Sequence, residues 1–197
     1  MSQNIHSQKA LIIVDLNCDF LPGGALAIEG ADAILPIINE LADDPVYGLV
    51  IATQDWHPPA HASFAHWPPH CVAGTSGAEL HPGLEADRID VLIRKGFDPD
   101  ADSYSGFFNE HGASNGLAEV LKTRGIHAVD IVGLATDFCV KATAIDAASR
   151  AHLKTRVLLK GCRAVGLTPT AETEAIAAMR ASGVEVVVSA SNDNIAH

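Results

Sequence analysis

Six short apolar runs, rich in Ile, Val and Leu, recur along this chain of 197 residues. Because the runs are nearly continuous, they predict strands of a parallel sheet that is buried on both faces. Apolar residues at helical spacing lie between several of them. The pattern predicts a three-layer, doubly wound α/β domain, with helices on both faces of a six-stranded parallel sheet. The predicted strands are residues 10–14, 48–53, 90–94, 128–134, 155–160 and 184–189, and the predicted helices are residues 31–41, 115–124, 139–151 and 171–181.

Two segments do not follow this alternation. Residues 55–82 hold five prolines, five of the ten histidines and both tryptophans, and residues 96–109 hold Gly, Asp and Phe without a clear period. Loops longer than about 12 to 15 residues are uncommon in compact domains unless they carry a function. We therefore expect the functional site in these two loops.

The composition narrows the class of partner. With 24 acidic and 13 basic residues, the chain has a formal net charge of -11, which disfavours binding to nucleic acid or to an anionic membrane. No apolar run approaches the roughly 18 residues that a membrane span needs, and the first residues lack a basic segment followed by an apolar core. We expect one cytoplasmic domain that acts on a small molecule, and a homo-oligomer is left open.

Four residues in the first loop have side chains that bind metals. Asp55, His57, His61 and His70 lie within sixteen positions and together offer carboxylate and imidazole donors. Such a mixed set suits one divalent transition metal ion, Zn, Fe or Mn, better than Ca or Mg. The alternative is a surface loop in which histidine replaces other polar residues. His66 and His81 are expected to be solvated or capping residues.

The four cysteines are scattered without Cys-x-x-Cys spacing, which indicates free thiols in a reducing compartment. Cys139 differs from the other three because it lies where a predicted strand gives way to a helix. The positive end of the helix dipole predicts a lowered pKa for this thiol and hence a nucleophile. For Cys139 alone, an inert buried thiol is the alternative.

Two charged residues follow strand ends that belong to the same edge of the predicted sheet. Asp15 comes directly after the first strand, and Lys95 after the third. In a doubly wound sheet, ligands bind at this edge, so both side chains are expected to meet Cys139 there. Asp15 would then act as general base, Lys95 as an electrostatic anchor and Cys139 as the nucleophile that attacks a carbonyl, while backbone N–H groups at the helix start hold the oxyanion.

At this point the chain resembles the nicotinamidase (pyrazinamidase) family of isochorismatase-like cysteine hydrolases. The resemblance extends nearly end to end and rests on the segments IIVDLNCDFLPGGAL, ATQDWHPPAHASF, WPPHCVAGTSGAELHP, IRKG, SYSGF and IVGLATDFCVKATAIDA. It implies a single hydrolase domain over residues 1–197, with residues 55–82 as its metal-binding loop. It also implies hydrolysis of nicotinamide to nicotinate and ammonia in NAD salvage, and of pyrazinamide to pyrazinoate, through a Cys139 thioester with Asp15 and Lys95.

The resemblance also assigns roles around the substrate. It implies a metal ion on Asp55, His57, His61 and His70, with waters completing the shell, which binds the pyridine nitrogen. It further implies oxyanion donors at the backbone N–H groups of Ala135 and Cys139, next to a cis peptide between Leu134 and Ala135. The substrate would be lined by Phe20, Trp67, Tyr104, Leu134 and Ala135.

The sequence departs from the family at one place near the site. Asn17 and Cys18 stand where the family usually has Gln-Asn. Because Asn17 is shorter than that Gln, we expect it to make a different hydrogen bond and to change details of substrate positioning. The departure leaves Asp15, Lys95 and Cys139 unchanged.

Other functions are kept as alternatives. Relatives with the same fold hydrolyse isochorismate, N-carbamoylsarcosine or ureidoacrylate, and these substrates have no pyridine nitrogen for a metal to bind. A metal or thiol sensor would need a resolving thiol, for which the positions of Cys18 and Cys71 give no indication. A structural interaction module would leave both loops unexplained.

Overall fold

A six-stranded, wholly parallel sheet lies at the centre of the protein. The structure is a computed structural model and describes residues 8–188. The strands run in the spatial order β3-β2-β1-β4-β5-β6. Their number and parallel direction are those that the apolar runs predicted. They are β1 (Lys9–Val14), β2 (Leu49–Asp55), β3 (Val91–Lys95), β4 (Ala128–Leu134), β5 (Lys154–Arg163) and β6 (Glu185–Val187).

The order of the strands reverses at β1, which pairs with β2 on one side and with β4 on the other. The chain therefore leaves the carboxyl ends of β1 and β4 in opposite directions, and a crevice opens between them. This crevice is where ligands bind in doubly wound sheets, and Asp15 follows β1 at its edge.

Helices cover both faces of the sheet, which confirms the predicted three layers. Alternate residues of β1 belong to two separate cores: Ile12 packs with the helices on one face, and Ile13 with the helix on the other. One face carries α2 (Leu117–Thr123), α3 (Lys141–Ser149) and α4 (Ala171–Ala181), and the opposite face carries α1 (Leu35–Ala42). No helix among residues 8–188 is both long and apolar enough to cross a bilayer.

Several predicted boundaries are wrong. β2 extends to Asp55, so this residue belongs to the sheet rather than to the first loop, and β3 runs from Val91 to Lys95 rather than over residues 90–94. The helix predicted at 31–41 begins with a 3-10 turn, Ala31–Ile34, because Pro36 fits the first turn of an α-helix and not its interior. The last predicted residue of the sixth strand, Ser189, lies outside the described residues.

The helix predicted at 139–151 also differs at its start. A single π-helical turn, Thr136–Val140, precedes α3, and Cys139 lies inside this turn. Wide turns of this kind occur often at functional sites, and spacing alone does not distinguish them from the first turn of an α-helix. The turn places Cys139 directly after the end of β4, at the same edge as Asp15.

Candidate active site

Lys95 is the centre of a buried polar cluster. Its side chain is fully buried. From β3 it passes the end of β2 and contacts four residues. The ammonium lies 2.8 Å from Oδ2 of Asp15 and 2.6 Å from Oδ1 of Asp55, and it donates to the carbonyl oxygen of Ser103 at 2.7 Å. It is also 3.6 Å from Sγ of Cys139. Burial alone would lower the pKa of Lys95, but the two carboxylates raise it well above its usual value.

Asp15 is held by the neighbouring strand. Its Oδ1 accepts a hydrogen bond from Thr53 Oγ1 at 2.6 Å, while Oδ2 is ion-paired with the Lys95 ammonium at 2.8 Å. Burial raises the pKa of Asp15, Lys95 lowers it and Asp55 raises it again, to about 6. A carboxyl group with a pKa near neutrality is suited to taking and returning a proton.

Cys139 lies close to both carboxylates. Its sulfur and one oxygen each of Asp15 and Asp55 are all within 4.8 Å of one another. Burial raises the pKa of the Cys139 thiol, Lys95 lowers it, and the two carboxylates raise it further, so that it lies well above its ordinary value. The prediction of a lowered pKa is therefore wrong, because burial and two anions outweigh the helix dipole and Lys95.

The four residues predicted to bind a metal come together in two overlapping groups. Asp55, His57 and His70 each offer a ligand atom within 4.8 Å of the others. His57 belongs also to a second group of the same size, with His61 and Asp102. The rings of His57 and His61 stack with centroids 4.2 Å apart, so both groups lie in one place.

The three imidazoles are oriented by contacts at Nδ1. This atom lies 2.9 Å from the Gly96 carbonyl in His57, 2.7 Å from Ser63 Oγ in His61 and 2.8 Å from the Pro68 carbonyl in His70. Because a carbonyl can only accept, Nδ1 carries the proton in His57 and His70, and these two rings present the lone pair of Nε2, the usual arrangement of metal-binding histidines. In His61, Nδ1 also accepts a hydrogen bond from the Ser63 N–H at 3.2 Å. Nε2 of His61 is buried without a hydrogen-bond partner. These donors fit a divalent metal ion.

Burial lowers the pKa of His61 and of His70, which favours the neutral form that a metal needs. For His57, burial would lower the pKa, but the hydrogen bond and charge of Asp55 raise it. The Asp55 carboxylate itself stays ionised: burial alone would raise its pKa, whereas Lys95 and His57 hold it well below its usual range.

A cavity opens beside Cys139. All five residues that were expected to line the substrate line this cavity, and so do the possible metal ligands Asp55, His57 and His70. The indole of Trp67 donates to the Tyr104 hydroxyl at 3.0 Å, and the peptide between Leu134 and Ala135 is cis, as expected. The five are Phe20, Trp67, Tyr104, Leu134 and Ala135.

Phe138 is a wall of the cavity that the sequence analysis missed. Its ring lies edge-on to Trp67, with centroids 5.2 Å apart, and tilted against Tyr104 at 5.8 Å. The three aromatic side chains form one apolar surface next to Cys139. Phe138 directly precedes the candidate nucleophile Cys139, and this position in the sequence could have indicated that it lines the cavity.

Asn17 positions Asp55 and does not line the cavity. Its amide nitrogen donates to the carbonyl oxygens of Asp55 and Ala78 at 2.9 and 2.6 Å, and its Oδ1 accepts from the Asp55 N–H at 3.2 Å. The short side chain thus joins the end of β2 to Ala78 in the loop of residues 55–82. Like Phe138, Gly96 was given no role in the sequence analysis. A Cβ at this position would collide with the His57 ring, and the backbone has a φ of +67°, which favours glycine.

Residues 9–191 match the family model of the isochorismatase domain. The chain is also 44% identical to the nicotinamidase of Acinetobacter baylyi, over 91% of this chain and 92% of that protein. This chain belongs to the nicotinamidase/pyrazinamidase family of isochorismatase-domain proteins. The prediction of the family is thereby confirmed, and amide hydrolysis is the activity for which this relative is named.

Two solved structures of family members match the fold over nearly their whole length. PnC1 from L. infantum, in complex with nicotinate, is 41% identical with a TM-score of 0.88 and covers 92% of this chain and 93% of its own. The pyrazinamidase of Pyrococcus horikoshii, in complex with zinc, is 38% identical with a TM-score of 0.80 and covers 91% and 98%. The predicted fold class is confirmed.

Proposed function

We propose that this protein is a nicotinamidase. It hydrolyses the carboxamide of nicotinamide to nicotinate and ammonia, a step of NAD salvage, and treats pyrazinamide in the same way. The observation that carries the proposal is that Cys139, Lys95 and Asp15 converge beside three metal donors that line the same cavity. Residues 1–197 then form one cytoplasmic hydrolase domain, with residues 55–82 as its metal-binding loop.

Asp55, His57, His61 and His70 would hold one divalent transition metal ion, with Zn, Fe or Mn suited to these donors. When bound, the ion supplies a Lewis-acid contact for the ring nitrogen of the substrate. The zinc in the structure from Pyrococcus horikoshii and the nicotinate in that from L. infantum support this assignment.

Asp15 activates the nucleophile. The raised pKa of the Cys139 thiol keeps its proton in place until substrate arrives, and the Asp15 carboxylate, with a pKa of about 6, accepts that proton at neutral pH. The Lys95 ammonium, 3.6 Å from the sulfur, stabilises the thiolate as it forms. Lys95 cannot itself serve as the base, because the two carboxylates hold it in the charged form.

The thiolate then attacks the carboxamide carbon, and the carbonyl oxygen takes up the negative charge. The backbone N–H groups of Ala135 and Cys139 are proposed to hold this oxyanion. Phe20, Trp67 and Tyr104 keep the ring in the cavity, with Leu134 and Ala135 on its other walls. When the intermediate collapses, Asp15 returns the proton to the leaving nitrogen, the C–N bond breaks and ammonia departs.

Hydrolysis of the Cys139 thioester completes the cycle. Asp15, again ionised, takes a proton from an attacking water, whose oxygen bonds to the acyl carbon. The C–S bond breaks, the thiolate recovers the proton from Asp15, and nicotinic acid leaves and releases its remaining acidic proton to water as nicotinate. The net reaction consumes one water for each amide bond cleaved.

The proposal is tested by measuring ammonia release from purified protein with matched amides. Nicotinamide and pyrazinamide are expected to be cleaved, while benzamide, which has the same shape but no ring nitrogen, is expected to be a poor substrate. N-carbamoylsarcosine, followed by ammonia release, and isochorismate, a vinyl ether followed by pyruvate release, test the other hydrolases of this fold. Faster turnover of either, or no ammonia from nicotinamide, would overturn the proposal.

A further inference from the structure

Asp102 lies close to His57 and His61, although it belongs to the other loop, residues 96–109. The half-buried side chain lines the cavity, and one carboxylate oxygen lies within 4.8 Å of a ring nitrogen of His57 and of His61. The sequence analysis assigned it no role, because its loop has no periodic pattern.

The surroundings of His61 favour a further metal ligand. It shares a compact group of donors with His57 and Asp102, and not with Asp55 and His70. Its Nε2 is buried without a hydrogen-bond partner, which is costly for a polar atom unless something binds it. An ion that reaches His61 therefore comes within reach of the Asp102 carboxylate as well.

The charges around Asp55 favour a second anion. The Asp55 carboxylate is already paired with the Lys95 ammonium at 2.6 Å, so it offsets only part of the charge of a divalent ion. His57, His61 and His70 are neutral when they bind a metal. Among the donors of the two groups, Asp102 is the remaining carboxylate.

The backbone around Asp102 holds this side chain in place. Its N–H donates to Glu110 Oε1 at 2.8 Å, and its carbonyl accepts from the Glu110 N–H at 2.8 Å. The Ser103 N–H donates to Asp102 Oδ1 at 2.7 Å. A carboxylate that is fixed before the metal arrives loses less entropy on binding it.

We propose that Asp102 is a fifth metal-binding residue, which would hold the ion together with His57 and His61. This inference rests on the metal centre of the proposed function and adds a ligand to it. Residues 102–104 then connect three parts of the site. Asp102 binds the metal, the Ser103 carbonyl accepts from Lys95, and Tyr104 lines the cavity.

The test measures metal binding rather than activity. Metal-loaded protein is equilibrated with a chromophoric chelator to give the affinity for Zn²⁺, and Co²⁺-loaded protein gives a visible absorption spectrum. Asp102→Asn keeps the side-chain size and is expected to weaken Zn²⁺ binding by about tenfold or more and to change the Co²⁺ spectrum. The matched control Asp100→Asn, at an exposed aspartate two residues away, is expected to match wild type in both.

A second pair of variants covers the case in which Asp102→Asn folds poorly. Asp102→Glu and Asp102→Gln differ only in charge, and the Glu variant is expected to bind Zn²⁺ the more tightly; thermal unfolding in excess chelator checks the fold of each. Equal affinity and identical Co²⁺ spectra in wild type and Asp102→Asn, or equal affinity within the Glu and Gln pair, would overturn the role of Asp102 while leaving the metal centre in place. Failure of the wild-type protein to bind Zn²⁺ or Co²⁺ would overturn the metal centre itself.

Discussion

Lys95 donates a hydrogen bond of 2.6 Å to Asp55, the residue that ends the neighbouring strand. The ammonium beside the Cys139 sulfur is thus bound to a carboxylate that lies beside His57. The nucleophile and the metal-binding group therefore share one buried ion pair. A substitution of Lys95 or of Asp55 is therefore expected to affect both the nucleophile and the metal-binding group.

The first prediction concerns the nucleophile. Cys139→Ala is expected to abolish ammonia release from nicotinamide, because no other group near the cavity replaces the thiol. Metal content, measured by elemental analysis, is expected to stay at the wild-type level, since Cys139 is not among the metal donors proposed above. Cys18→Ala, which removes a partly exposed thiol close to Asp15, is the control and should keep full activity. Measurable turnover by Cys139→Ala would reject the thioester mechanism.

The second prediction concerns the buried ammonium. Lys95→Met keeps the length of the side chain but leaves Asp15 and Asp55 without their cation. Removing one partner of a buried ion pair costs about 3 to 5 kcal/mol, so the free energy of unfolding should fall by about that amount, with activity lost. Urea titration measures the first effect and ammonia release the second. Lys122→Met, on the exposed surface of α2, should change neither, and an unaltered unfolding curve for Lys95→Met would contradict the cluster described above.

The third prediction separates the histidines of the first loop. His57→Ala and His70→Ala are each expected to lower the affinity for metal by about 10- to 100-fold and to raise the KM for nicotinamide. His66→Ala removes an exposed imidazole from the same loop and should have no effect. Metal stoichiometry after dialysis and steady-state kinetics give the two readouts. Normal stoichiometry with unchanged kinetics in both variants would remove these residues from the metal centre.

The sheet was predictable because its central strands β1, β2 and β4 are buried on both faces. Such burial demands continuous apolar runs, and these are visible in the sequence. The edge strands β3 and β6 are partly exposed and shorter. The positions of Asp15 and Lys95 followed from the same runs, since both residues come at carboxyl ends that meet at one edge. The resemblance to a family then assigned the residues around the cavity, and the structure brings them together.

Three features depended on tertiary contacts and had no local signal. The π-helical turn at Thr136–Val140 has the same spacing of apolar residues as an ordinary helix start. The direction of the pKa shift of Cys139 is set by burial and by carboxylates from two other strands. Asp102 lies in an aperiodic loop, and only the folded chain places it beside His57 and His61.

The last prediction concerns another buried carboxylate, away from the cavity. Asp130 in β4 accepts hydrogen bonds from Tyr47 and, through both oxygens, from Arg156, and it is ion-paired with Lys9 at 2.7 Å. Burial would raise the pKa of Asp130, but the hydrogen bonds from Arg156, Lys9 and Tyr47 lower it. Folding therefore favours the ionised form, and this contribution to stability is complete above the pKa of the unfolded chain, about 3.9.

Asp130→Asn is accordingly expected to lower the free energy of unfolding at pH 7, by an amount on the order of 3 kcal/mol. The difference from wild type should shrink as the pH falls below about 4, because the native Asp130 becomes protonated as the pH passes through its lowered pKa. Urea titrations between pH 7 and pH 3 measure this difference, with the exposed Asp87→Asn as control. A difference that stays constant or grows toward pH 3 would show that Asp130 does not stabilise the fold through its charge.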